Sequence, residues 1–175
     1  MAVNWKRLED NIVQAIKERR ARNEDAFAKL IADEYDRAII HKAADMILGN
    51  TILVAKKSLL ESALRGAFQL AKLSRSESEA QRIMKSFINT GVIAYWTGAQ
   101  LTLTKPPPGA VSVVTNQVVS PGTPPDVSIS NASKPEVFAR EFVIRLQAHA
   151  KTVSIVTTGV TANGAPVVVT INGIN

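Results

Sequence analysis

The segment from Gly91 to Asp126, GVIAYWTGAQLTLTKPPPGAVSVVTNQVVSPGTPPD, limits the possible folds more than any other part of the chain. It holds the run Pro106-Pro107-Pro108-Gly109, an uncharged stretch from Ala110 to Val119, and a second breaker cluster, Pro121-Gly122-Thr123-Pro124-Pro125. Each proline fixes φ and removes a backbone donor, so the segment cannot continue a helix and makes a poor central strand. It reads as an extended arm between two differently patterned parts.

Ahead of the arm, the apolar spacing is helical. Trp5, Leu8, Ile12 and Ile16 form one stripe, with Lys6, Arg7, Glu9, Asp10 and Lys17 opposite it. Asn23 is placed to cap a second helix whose first turn holds Glu24 and Asp25, where anions suit the helix dipole. Thr51 is read as the cap of a third helix carrying Leu53, Leu60, Leu64 and Phe68 among alanines. Two overlapping S-x-x-E boxes in Ser74 to Glu79 start a fourth helix with Ile83, Met84, Phe87 and Ile88 on its core face. Tyr95 and Trp96 close this half, either as plugs of the last helix or as anchors for a partner chain.

Beyond the arm, Ser133-Lys134-Pro135-Glu136 opens another helix with Val137, Phe138, Phe142, Leu146 and His149 along one stripe. From Thr152 the period becomes two, Asn163-Gly164 signals a type I′ hairpin, and Pro166 to Ile171 supplies the return strand. Val127 to Ser130 is a candidate third strand. The expected fold is α+β: a four-helix bundle over residues 1–100, a Pro/Gly-rich extended arm over 101–125, and over 126–175 a helix packed on a small antiparallel β-ribbon. Deleting Lys105 to Pro125 is therefore expected to leave the bundle folded. A bare ribbon is marginal in water, so it docks either on its own chain or on another copy.

Little in the sequence points to catalysis. The absence of cysteine excludes disulfides, thiolate metal sites and a cysteine nucleophile. His41 and His149 stand apart from other ligand types, and no phosphate-loop, dinucleotide, nucleophile-elbow or zincin motif is present. Asp33, Glu34 and Asp36 have Lys29 and Arg37 within a turn, which reads as a salt-bridged solvated face. No catalytic residue, cofactor, metal ligand or small-molecule substrate is expected. No run approaches the roughly 20 apolar residues of a membrane span, and the N-terminus lacks the apolar core of a signal peptide, so a soluble protein made in the cytoplasm is expected.

The formal charge of +6 is spread along the chain. The basic helix ends at Arg19, Arg20, Arg22, Lys56 and Lys57 read either as solvated ends or as phosphate contacts of a cytoplasmic nucleic-acid-binding module. The interface candidates are Tyr95, Trp96, Val111, Val113, Val114, Val118, Val119, Val167, Val168 and Val169.

The helical half, the Y-W-T-G-x-x-L segment from Tyr95 to Leu101, the Pro/Gly-rich arm with Thr115-Asn116 and Ser120-Pro121-Gly122-Thr123, and the Val/Thr/Gly-rich ribbon together resemble small virion structural proteins of tailed bacteriophages. The likeness is to neck, head–tail connector, and tail or baseplate components. It implies a non-enzymatic subunit, made in the host bacterial cytoplasm and carried in the virion. Such a subunit forms or joins a ring-like assembly through its arm and ribbon. Its implied partners are copies of itself and other virion proteins, with non-specific DNA contact and no membrane.

Overall fold

A computed structural model of the chain describes residues 5–18, 23–46, 51–103, 106–127 and 134–173, with side chains at all of these except 40–46, 51–54, 101–103, 114, 116 and 171. The described residues form five helices and an antiparallel sheet, so the fold is mixed.

The N-terminal helices follow their caps and stripes. Helix α1 (Trp5–Lys17) buries Trp5, Leu8, Ile12 and Ala15. Helix α2 (Glu24–Met46) starts where the Ala26 N–H donates to the Asn23 side-chain oxygen at 2.8 Å. Strand β1 (Thr51–Val54) comes next, and helix α3 (Lys57–Leu73) begins after it with Lys56 at its N-cap position in place of the expected Thr51. Helix α4 (Glu77–Trp96) is capped by Ser76, whose hydroxyl accepts from the Glu79 N–H at 3.2 Å, while Glu79 reaches back to the Arg75 N–H at 3.0 Å. Both halves of the second S-x-x-E box are thus used, with the return bond one residue early.

Helix α4 continues through Gly91 because that position needs no side chain. A Cβ there would lie 2.4 Å from the Ala63 Cβ, so hydrogen at Gly91 sets how closely α4 approaches α3.

The arm is where the structure departs most from the expectation. Residues Gln100–Leu103 form β2, paired antiparallel with β1, and Ser112–Ser120 form β3. Strand β3 lies between β2 and β4 (Ser154–Val160), so the segment read as an arm supplies the middle strand of a five-stranded sheet. The prolines flank this strand without entering it, and Val-Val-Thr-Asn-Gln-Val-Val between them is β-favouring. Among the described residues, Val127 is in no strand, and Ser128 to Ser130 lie outside them.

Helix α5 (Pro135–Ala150) has Pro135 in its first turn, as expected, and packs on α1, where Glu136 pairs with Lys17. Ser133 lies outside the described residues. Strand β4 alternates half-exposed and buried residues and turns back through Thr161–Ala165 into β5 (Pro166–Asn172). The turn has three residues: the Gly164 N–H donates to the Thr161 carbonyl, and only Gly164 takes a positive φ, of 78°. This is a type I turn ending in a left-handed glycine; the two-residue type I′ form would need Asn163 at positive φ as well.

Strand order in space equals order in the chain, β1-β2-β3-β4-β5, with α3–α4 inserted between β1 and β2 and α5 between β3 and β4. Residues from α1 to α5 share one apolar core with Val118, Val153 and Ile155. The C-terminal helix therefore docks on its own chain, and the sheet joins the helical core through Val118 and Ile155, while Pro107 and Ala110 lie against Gly159 of β4.

Two outcomes are expected. Removing Lys105 to Pro125 takes out β3, and cooperative urea unfolding followed by circular dichroism is expected to disappear, contrary to the arm expectation. Gly91→Val is expected to lower stability by about 1–3 kcal/mol through overpacking against Ala63, read as a fall in the urea midpoint.

Candidate functional site

Burial decides first which of the sequence candidates can meet a partner. Tyr95 and Trp96 are fully buried, which corrects their reading as interface anchors. The Trp96 indole N–H donates to the Tyr35 hydroxyl at 2.9 Å, and the Tyr95 hydroxyl donates to the Asp36 carboxylate at 2.7 Å. Burial pushes both tyrosine hydroxyls well above their usual range, so both stay neutral, Tyr95 as a donor and Tyr35 as the acceptor from Trp96. Val118 is also buried, while Val113, Val167 and Val169 are half-buried. Val111, Val119 and Val168 are 63%, 52% and 63% exposed, so these are the valines a partner can reach. The Val114 side chain lies outside the described residues.

Among the basic candidates, Arg19, Arg20 and Arg22 lie outside the described residues. Lys56 is exposed, but Lys57 sits 2.6 Å from Asp33, which raises the ammonium's pKa and holds it in an ion pair. The carboxylate cluster on α2 is paired throughout. Asp33 meets Lys29 at 2.9 Å as well as Lys57, Glu34 meets Arg37 and Arg7, and Asp36 accepts from Tyr95. Burial pushes the Asp33 carboxyl up, but the two ammonium groups outweigh it and the net shift is downward. Among the described residues no group of three or more His, Cys, Asp or Glu could hold a metal ion, and the His41 side chain is outside them.

Helix α3 has three distinct faces. Leu60, Leu64 and Ala67 enter the core. Lys57, Arg65 and Lys72 turn to α2, meeting Asp33, Asp25 and Glu24 at 2.6, 3.3 and 2.7 Å, while Glu61 pairs with Arg65. The remaining face holds no charge and exposes Leu59, Leu70 and Leu73, the last 77% accessible. Phe87 of α4 is exposed beside this face, within 3.0 Å of where a Gly66 Cβ would stand. Leu59 continues into an open groove of about 620 Å³ that is also lined by Lys56, by Ile93 and Ala94 of α4, by Thr97 just beyond that helix, and by Pro124.

The sequence reading missed this face because it followed one stripe, Leu53-Leu60-Leu64-Phe68. Leu59, Leu70 and Leu73 lie off that stripe, and their excess over what one buried face needs was the available signal.

The sheet is the second uncharged surface. No residue of β3, β4 or β5 is charged. Their open face shows Ser112, Thr115 and Gln117, then Ser154, Val156 and Thr158, then Val168, Thr170 and Asn172.

His149 holds the Pro121 turn to the end of α5. Its Nε2–H donates to the Pro121 carbonyl at 2.8 Å, the Thr152 hydroxyl donates to the His149 carbonyl at 2.7 Å, and the Thr123 N–H donates to that hydroxyl at 2.9 Å. Nδ1 is buried without a hydrogen-bond partner, and burial lowers the imidazole pKa, with the Pro121 bond opposing the shift.

Comparison with known protein families, with curated proteins and with solved structures returned no match.

The titration of His149 gives a signed prediction. Its folded-state value lies below the unfolded value of about 6.5, so below that pH the unfolded chain binds the proton first. Its contribution is complete above about pH 6.5 and is lost as pH falls toward the folded value, by at most about 1.4 kcal/mol per pH unit. Urea midpoints at about pH 7.5 and about pH 5.5 are expected to separate for the natural chain more than for His149→Gln.

Proposed function

We propose that this chain is a non-enzymatic structural subunit that assembles with copies of itself. On the resemblance carried by its sequence, the assembly is a ring-like neck, connector or tail component of a tailed-phage virion. In this reading the four N-terminal helices act as a rigid bundle, and the C-terminal ribbon is the element offered to neighbours.

The observation that supports the reading is the segregation of charge. Every charged residue of α3 is paired, and the outward face that remains is Leu59, Leu70 and Leu73 with Phe87 beside them. The β3–β5 sheet carries no charge either. A chain of net charge +6 repels its copies in general, and these are the surfaces where two copies meet at least electrostatic cost. Contiguous exposed apolar surface of this kind marks association sites in soluble proteins.

The alternative, a nucleic-acid-binding module, needs its basic helix ends available, and Lys57 is engaged with Asp33. The two readings separate by salt. Light scattering over a concentration series is expected to give a mass above the 18.9 kDa of one chain that persists when salt is raised. Leu70→Glu with Leu73→Glu is expected to yield a smaller species with unchanged circular dichroism. A strict monomer that binds duplex DNA, with affinity falling steeply with salt, would replace the assembly reading with the nucleic-acid one.

A further inference from the structure

The outer edge of β5 is a strand template with an identifiable register. The Thr161 N–H donates to the Ala165 carbonyl at 2.8 Å, and the Gly173 N–H donates to the Val153 carbonyl at 2.8 Å. The register between those two bonds runs without a break from Val160↔Pro166 to Ser154↔Asn172. Antiparallel ladders alternate, so Val167, Val169 and Ile171 turn their backbone groups toward β4, while Val168, Thr170 and Asn172 turn theirs away from it. Pro166 offers only a carbonyl on that side. Among the described residues β5 pairs with β4 alone and ends the sheet.

Edge strands are ordinarily protected by lysine, by proline within the strand, or by a bulge. None of these interrupts Val167 to Asn172. Val168 is 63% exposed at its centre.

We infer that β5 pairs antiparallel with β5 of a second copy, about a two-fold axis at Thr170; this inference rests on the assembly reading above. Three features select a second copy. The edge carries no charge, so it has no attraction for a charged partner and no like-charge repulsion for a copy. With Thr170 opposite its counterpart, Val168 faces Asn172 of the other copy. Each of these residues keeps both backbone groups in the new ladder, and Pro166, which cannot donate, stays outside it. The same register sets the half-buried Val169 opposite the Ile171 position and Val167 opposite Gly173 of the other copy. It also places two threonines opposite each other, an arrangement the sheet already contains where the Thr115 and Thr158 hydroxyls are 2.6 Å apart.

The chain has no cysteine, so single-cysteine variants report the contact directly. Opposed Cα atoms of a hydrogen-bonded antiparallel pair lie about 5.5 Å apart, inside the span a disulfide bridges. Under mild oxidation Thr170→Cys is expected to shift to dimer mass, as is a mixture of Val168→Cys and Asn172→Cys chains. Val168→Cys alone and the exposed helix control Ala148→Cys are expected to remain at chain mass. Adding Val168→Lys to Thr170→Cys is expected to abolish the cross-link while leaving circular dichroism unchanged. If the natural chain assembles by light scattering yet Thr170→Cys cross-links no better than Ala148→Cys, the edge pairing is wrong and the assembly reading stands. If the natural chain is monomeric at every concentration, both fall.

Discussion

The contact on which the rest of the structure depends is the hydrogen bond from the Trp96 indole to the Tyr35 hydroxyl, inside a run of rings that crosses four helices. Trp5 of α1 lies 6.2 Å from Tyr35 of α2, Tyr35 lies 5.1 Å from Tyr95 of α4, and Trp96 lies 6.5 Å from His149 of α5. Each ring buries a large area, and the edge-to-face pairs Tyr35–Tyr95 and Tyr95–Trp96 add a directional preference that side chains such as alanine lack. In a chain with only 5% aromatic residues, these few rings fix how the helices sit. The sheet is tied to the same place. The Lys56 N–H donates to the Tyr95 carbonyl at 3.3 Å, and the Val118 N–H donates to the Ala99 carbonyl at 2.9 Å, so β1's exit and β3 both register against the end of α4.

Charge is arranged around this centre in a way that matters more for surfaces than for stability. The α2–α3 ion pairs are largely exposed, and pairs of that kind each contribute little, roughly 0–1 kcal/mol. Their larger effect is to gather the charges of α3 onto its α2 side, leaving Leu59, Leu70 and Leu73 without charged neighbours on their own helix. The uncharged β3–β5 strands extend that asymmetry to the sheet. Water-exposed apolar area and unpaired strand edges are both relieved by contact with another chain, and this is the physical basis of the assembly we propose.

Several parts of this architecture were legible in the residues. Asn23 and Ser76 announce helix starts because a short polar side chain can satisfy an otherwise unpaired N–H at that point. The α1 stripe and the β4 alternation follow from one buried face each. Thr51 to Val54 misled for a physical reason: a threonine followed by three apolar residues fits a capped helix turn as well as a strand, and the partner that decides it, Gln100–Leu103, is far away in sequence. Strand β3 was obscured by prolines that bound it without entering it. Of the candidate surfaces, the β5 valines were visible and the α3 face was not, since Leu59, Leu70 and Leu73 lie off the single stripe that marks the core side of that helix.

The sequence by itself determined the helical stripes, the caps at Asn23 and Ser76, the presence of a hairpin between β4 and β5, the lack of cysteine chemistry and the lack of charge in the last strands. These depend on neighbours within a few positions, or on composition alone. Only the tertiary structure decided that Tyr95 and Trp96 point inward, that the Pro-bounded segment is the middle strand, that α5 closes on α1, and that β5 is left as an edge. Each of those outcomes depends on which distant backbone fills a hydrogen-bonding row or covers a ring, and such pairings are set by the packing of the whole core.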